Sequence, residues 1–279
     1  MDGFRAEKPA IIIGAGGSVG RRIRRAWRAT GHSHMTVGRG VDADLRWDLT
    51  GPPPPFDAAR GAGIVVLAGV TPASGGDLAD NLRLARAGIE AARAWGAAHV
   101  FVASSSAVYG PTPPIPVDED APLNASSPYA AAKIEVECET VAKDVTALRI
   151  ANVAGASQPF LAIRAGGHAK LDRFADADAP MRSFIGPVSL ASCFARLCDL
   201  AASGRDFPPV LNIASARPIR MIDIFAAAGV TPDRPAASKD AIAHANLATK
   251  RLAELWDVPD HDAEALWDEV RATDEGAYP

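Results

Sequence analysis

Short apolar, β-branched runs alternate with longer amphipathic stretches through the first half of the chain. The runs at 10–13 (AIII), 34–37 (HMTV), 63–69 (GIVVLAG), 99–104 (HVFVAS) and 145–152 (VTALRIAN) read as strands buried on both faces. Between them, the spacing predicts helices over 18–30, 77–95 and 129–143. In the first of these, Val19, Ile23, Trp27 and Thr30 fall on one face and the arginines of RRIRRAWR on the others, which reads as a solvated basic face. Strands alternating with helices imply an α/β fold, a Rossmann-type doubly wound parallel sheet with right-handed crossovers.

The prolines of GPPPPF (51–56) exclude helix and central strand and mark a loop. A second irregular segment spans 109–128, and a loop of that length inside a compact domain is commonly functional. Past residue 155 the alternation weakens to a strand at 209–215 and helices at 190–202 and 246–256. The layout expected is a dinucleotide-binding domain over 1–155 and a small, partly interleaved substrate-binding part over 156–279.

Composition narrows the function classes. The 279 residues are 48% hydrophobic and 22% charged, with a net charge of −4, so neither a nucleic-acid nor an anionic-membrane partner is expected. The three cysteines, Cys138, Cys193 and Cys198, show no ligand spacing, which points to free thiols in a reducing compartment and to no metal site. With no apolar core near the N-terminus and no run long enough to span a bilayer, the expectation is a cytoplasmic protein.

Gly14, Gly16, Gly17 and Gly20 stand between the first strand and the first helix. Glycine is needed where the turn is tight, where backbone approaches a pyrophosphate, and where the helix packs close to the strand. Ser18 and Val19 open that helix, whose amide groups suit phosphates. The second strand then ends in Gly38 and Arg39, with no acid before Asp42. An acid there serves the ribose hydroxyls of NAD and an arginine the 2′-phosphate of NADP, so NADP is expected in preference to NAD.

The stretch YAAAK sets Tyr129 four residues ahead of Lys133 on a predicted helix, in a chain with three tyrosines. At that spacing the side chains share a face, and a nearby ammonium would pull a phenol down toward the range of a proton-transfer catalyst. Upstream, an apolar strand runs into Ser104, Ser105 and Ser106, at the strand end where ligands of open α/β sheets bind.

These elements, in this order, resemble the extended short-chain dehydrogenases/reductases, specifically the NAD(P)-dependent epimerase/dehydratase family. GAGGSVG, WDL (47–49), SSSAVYG, SSPYAAAK and LRIANVAG carry the likeness, and Asn81 resembles the family's central-helix asparagine. The resemblance implies cofactor contacts from Asp48, Leu49 and Ala68. It also implies a Ser105, Tyr129 and Lys133 catalytic set in which Lys133 binds ribose hydroxyls as well, with Ser104 and Ser106 the other candidates for the serine. Substrate contacts would come from Ser106, Asn152 and Arg182, the last to a diphosphate. Ser106 and Ala107 replace the acid pair of the family's dehydratases, so dehydration lacks its acid and base. The activity implied is an NAD(P)-linked ketoreductase or dehydrogenase of a sugar or nucleotide-sugar carbonyl. The alternatives are an epimerase with retained cofactor and a non-catalytic NADP-sensing regulator. Relatives pair into homodimers through the helices corresponding to 77–95 and 129–143.

Overall fold

The computed structural model describes residues 8–166, 169–175 and 178–274. In chain order the strands are β1 (Ala10–Ile13), β2 (His34–Gly38), β3 (Leu45–Arg46), β4 (Gly63–Val66), β5 (His99–Ser105), β6 (Val145–Ile150), β7 (Asn152–Val153), β8 (Met181–Arg182), β9 (Phe184–Ile185), β10 (Val210–Ile213), β11 (Ile219–Arg220) and β12 (His244–Ala245). The helices are α1 (Ser18–Thr30), α2 (Asp80–Ala94), α3 (Pro128–Thr140), α4 (Phe160–Ala165), α5 (Pro187–Ala202), α6 (Met221–Ala227), α7 (Lys250–Ala253) and α8 (Ala263–Thr273).

Seven strands form one sheet in the order β10-β6-β5-β4-β1-β2-β3, and every pairing in it is parallel. The chain builds outward from β1 through β2 to β3, then returns to β4 and builds the other way. Between β1 and β4 the connections leave in opposite directions, and the crevice this opens at the strand carboxyl ends is where doubly wound sheets bind ligands.

Successive side chains of a strand point to opposite faces, and both faces here are buried. Ile12, Val65, Phe101 and Leu148 pack against Ile23 and Trp27 of α1 and Phe194 and Leu197 of α5. Ile11, Ile13, Ile64, Val66 and Val102 pack against Ala85, Ile89 and Ala92 of α2 and Val136 of α3. A separate core of Phe160, Phe184, Ile224, Phe225, Leu266 and Trp267 fills the C-terminal part. That part is interleaved with the sheet, since its α5 covers one face and its β10 supplies an edge strand.

The structure departs from the sequence pattern in several places. The third apolar run stops being strand at Val66, and the helix expected over 246–256 is a single turn, Lys250–Ala253. Helices α4, α6 and α8 and the two-residue strands were not anticipated, being too short or too weakly periodic to stand out. The arginine face of α1 is also not wholly solvated. Arg22 and Arg24 are 5% and 6% exposed, because chain segments distant in sequence pack over them and supply partners. Arg22 meets Asp274 at 2.6 Å and the Gly155 carbonyl at 2.8 Å, while Arg24 meets Asp42 at 2.7 Å.

Candidate active site

The turn from β1 into α1 shows why its glycines are glycines. Gly14 has φ of 91°, and a Cβ there would lie 2.5 Å from the Ala68 backbone nitrogen, so Gly14 and Ala68 form one close crossing of β1 and β4. A Cβ on Gly20 would lie 2.7 Å from the Ala15 Cα, which fixes the approach of the helix. Gly16 is different: it is exposed, and a Cβ there would meet no protein atom within 4 Å. Gly17, the N-cap of α1, provides no side-chain cap to the amides that begin at Ser18 and Val19. The turn therefore presents open backbone at the positive end of a 13-residue helix, which fits a dinucleotide pyrophosphate.

At the adenosine end, Gly38 is buried and Arg39 exposed. Asp42, the first acid after β2, is held by Arg24, which keeps its carboxyl below the usual range. Asp48 is exposed, and its carboxylate accepts from the Thr50 backbone nitrogen at 3.0 Å and hydroxyl at 2.6 Å. Leu49 has φ of 62°, a left-handed conformation a leucine adopts at a cost, held by the burial of its side chain beside Trp47.

The second half of the site comes from β5 and α3. Ser127 caps α3 by accepting the Ala130 N–H at 3.1 Å, and Pro128 sits in the first turn, which sets Tyr129 at the helix start. Ser105 ends β5, near enough to the Tyr129 phenol to favour its ionised form. One turn along α3, Lys133 is 5% exposed; its Nζ donates to the Ala103 carbonyl at 2.9 Å and stands 5.9 Å from the Tyr129 ring centroid. The strand end, the tyrosine and the lysine thus converge as the sequence suggested.

The protonation balance differs from the simple expectation. Burial raises the Tyr129 pKa and the neighbouring Ser105 hydroxyl opposes it, with a net upward shift in place of the lowering anticipated from the lysine. The reason is geometric, since the Lys133 ammonium is spent on a carbonyl and flanks the ring. Lys133 itself is pulled down to about 8 by burial, with Glu137 opposing the shift.

The three serines separate cleanly. Ser104 is 4% exposed, and its hydroxyl donates to the Glu137 carboxylate, which removes it as a catalytic candidate. Ser105 also accepts the Ala107 N–H at 3.2 Å, while Ser106 is half-buried in the short turn that follows. Asn81 is buried on α2 and holds the β4–α2 loop, accepting the Val70 N–H at 3.1 Å and donating to the Val70 carbonyl at 2.9 Å. In the same loop a Cβ on Gly69 would lie 2.8 Å from Asn81 Oδ1 and 3.3 Å from Lys133 Nζ. Asn152 donates to the Ser183 carbonyl at 3.4 Å. Arg182 is largely committed to backbone: Nη1 donates to the carbonyls of Met181 and Ala243, each at 2.9 Å, and Nη2 to that of Ile242. Burial brings its pKa down to about 10, which leaves it a cation at neutral pH.

Sequence reasoning missed Glu137 of α3 and Arg149 of β6, which are both about 5% exposed and paired at 2.8 Å. The only local signal was Glu137 lying four residues past Lys133. A cavity of about 680 Å³ elsewhere, lined by Arg217, Arg220, Asp223 and His261, contains none of the anticipated site residues. Its arginines are already paired, Arg217 with Asp260 and Arg220 with Asp223. Among the described residues no helix is long and apolar enough to cross a membrane.

A parallel sheet in this order, with a glycine turn at β1 and a serine, a tyrosine and a lysine brought together from β5 and α3, defines a Rossmann-type fold of the short-chain dehydrogenase/reductase kind. The model of the NAD dependent epimerase/dehydratase family matches residues 10–165, more than half of the chain. The chain belongs to that family and is an enzyme of that kind. No curated protein matches it. Among solved structures it is similar to a UDP-glucose-4-epimerase from Stenotrophomonas maltophila with bound NAD and formylated UDP-arabinopyranose, at 19% identity and a TM-score of 0.69, covering 95% of this chain and 98% of the other. A dTDP-glucose 4,6-dehydratase from Streptomyces venezuelae with NAD bound matches at 19% identity and a TM-score of 0.69, covering 95% and 96%. MoeE5 in complex with UDP-glucuronic acid and NAD matches at 22% identity and a TM-score of 0.70, covering 95% and 98%. At these identities the likeness is one of fold.

Proposed function

We propose that this enzyme oxidises or reduces a carbonyl or hydroxyl carbon of a sugar or nucleotide sugar, as a ketoreductase or dehydrogenase. The observation that carries the reading is the convergence of Ser105 at the end of β5, Tyr129 at the start of α3 and Lys133 one helical turn further on, its Nζ 5.9 Å from the Tyr129 ring centroid, at the mouth of the switch-point crevice. A bound nicotinamide dinucleotide supplies the hydride chemistry. The glycine turn and the start of α1 would hold its pyrophosphate, Asp48 and Leu49 its adenine, and Lys133 its nicotinamide ribose.

Tyr129 gives or takes the proton of the substrate oxygen. Ser105, at the strand end beside the phenol, steadies that oxygen, and the ammonium of Lys133 beside the ring favours the phenolate when the proton leaves. Ser106, Asn152 and the free donors of Arg182 line the substrate side, Arg182 toward a phosphate or other anion. The solved relatives that carry UDP sugars support the nucleotide-sugar reading. Those relatives hold NAD. For this chain we favour NADP, because Arg39 is exposed at the end of β2 and Asp42 is neutralised by Arg24. Ser106 and Ala107 provide no acid or base next to Ser105, which speaks against dehydration. The interleaved C-terminal part, residues 156–279, closes the substrate side, and α2 with α3 is the face through which two copies would pair.

The test is turnover of Tyr129→Phe, which keeps the ring and removes the hydroxyl. It should bind cofactor as the parent does and lose about 10²–10⁴ in rate, the range of a general acid/base. Parental turnover would end the reading. An epimerase working through the same three residues is separated by the absorbance of the purified protein: firmly retained cofactor indicates epimerase, an exchangeable one reductase.

A further inference from the structure

Tyr129, Lys133 and Glu137 follow one another at four-residue steps along one side of α3, and the mechanism above uses only the first two. Glu137 is 5% exposed and lies at the centre of a buried polar chain. Its carboxylate accepts from Ser104 Oγ on β5 and from Arg149 on β6, through Nε at 3.0 Å and Nη2 at 2.8 Å. Arg149 in turn donates to the Tyr109 hydroxyl at 2.7 Å and the Glu119 carbonyl at 2.9 Å. Tyr109 donates to Asn212 Oδ1 at 2.8 Å, and the Asn212 N–H donates to Glu119 Oε1 at 2.8 Å. One carboxylate therefore ties α3 to the strand that ends in Ser105, and through Arg149 to β6, β10 and the 109–128 segment.

We propose that Glu137 is a positioning residue of this active site: its carboxylate stands one helical turn from Lys133 on α3 and holds Ser104, and with it the neighbouring Ser105, against that helix. The inference rests on the reading of Ser105, Tyr129 and Lys133 given above. A buried amine one turn from a carboxylate has its charged form favoured by that carboxylate. Around Lys133, β5 presents the Ala103 carbonyl, and the β4–α2 loop presents the backbone at Gly69 with Asn81 of α2 beside it, all of them uncharged. Arg149 of β6 is engaged by Glu137, and Arg86 of α2 pairs with Glu139 of α3 in solvent. Glu137 is the charge that acts on Lys133 to oppose the effect of burial.

The sign follows from the lysine. Its folded pKa, about 8, means that the ammonium is present below that pH and lost above it. Cofactor affinity of the parent enzyme, measured by fluorescence titration with NADH and NADPH over a pH series, should therefore fall as pH rises through that region. Glu137→Gln keeps the hydrogen-bonding shape and removes the charge, and it should bring that fall down by about one pH unit. Ser104→Ala removes the hydroxyl and leaves the carboxylate, so its fall should stay at the parent pH while turnover drops. A folded Glu137→Gln whose affinity falls at the parent pH overturns the proposal. If a thermal melt shows that this variant does not fold, Glu137→Gln/Arg149→Met removes the buried pair together, an exchange such pairs commonly tolerate. It should give the same downward displacement, and an unmoved profile overturns the proposal equally. Lys133→Met separates the two readings. A parent profile with an alkaline fall that disappears in Lys133→Met and stays put in Glu137→Gln defeats Glu137 alone. A parent with no alkaline fall defeats both.

Discussion

Two glycines only two residues apart in sequence, Gly14 and Gly16, should fail in opposite ways when changed to alanine. At Gly14 the new Cβ would sit 2.5 Å from the Ala68 nitrogen and 2.7 Å from its Cα, backbone atoms of a central strand connection that no rotamer can move aside. The φ of 91° adds a conformational penalty of about 1–2 kcal/mol for a residue with a Cβ, and overpacking adds about 1–3 kcal/mol. Gly14→Ala should lose roughly 2–5 kcal/mol of stability, a melting temperature lower by on the order of 10 °C in a domain of this size. At Gly16 a Cβ meets nothing within 4 Å, so Gly16→Ala should melt with the parent, within about 1 kcal/mol. Its methyl would stand where a pyrophosphate must approach the backbone, and NADH or NADPH affinity should fall at least about tenfold, about 1.4 kcal/mol. Thermal melting followed by circular dichroism reads the first effect and fluorescence titration the second. A Gly16→Ala protein that binds cofactor as tightly as the parent would refute the placement of the pyrophosphate on this turn, whatever Gly14→Ala does.

Arg39→Ala should weaken NADPH by roughly 1.5–3 kcal/mol, the worth of a charged contact, and leave NADH nearly unchanged; equal affinities of the parent for the two cofactors would remove the case for NADP. At the other end of the molecule, Glu269 caps α5 from α8, accepting the N–H groups of Val188 at 2.8 Å and Ser189 at 2.9 Å. Burial raises its pKa, but bonds from His261 and Ser189 outweigh that and lower it, so this stabilisation is lost as pH falls through its folded pKa. Glu269→Gln should cost about 1–2 kcal/mol by thermal melting at neutral pH, and a parental melt there would show that the cap is dispensable.

Why the serine mattered so much is visible in β5. Sequence alone offered Ser104, Ser105 and Ser106 at a strand end, and alignment with relatives favoured the middle one. The structure adds the physical reason: neighbouring strand residues face opposite ways, and Ser104 is consumed by a carboxylate 33 residues on, leaving Ser105 on the side of Tyr129. At Arg182 the structure adds what the sequence could not show. Its sequence context suggested a cation for a diphosphate, and three of its donors hold carbonyls at 181, 242 and 243.

The features that the sequence determined by itself are local ones. Five apolar runs became sheet strands and three amphipathic stretches became α1, α2 and α3, because strand and helix periodicity are set by near neighbours and the hydrophobic burial they imply. The glycine turn was legible for the same reason, since the need for missing side chains is written at each position, and YAAAK placed two groups on one helix face by spacing alone. What tertiary structure decided depends on residues that meet only after folding. Arg22 and Asp274 pair across 252 positions, Glu137 and Arg149 bury opposite charges from a helix and a strand, and Lys133 surrenders its ammonium to the carbonyl of Ala103. No periodicity announces such pairs, because a charged residue looks the same in sequence whether water or a buried counter-charge solvates it. Desolvation then sets their protonation, and that is fixed by what the whole chain packs around them.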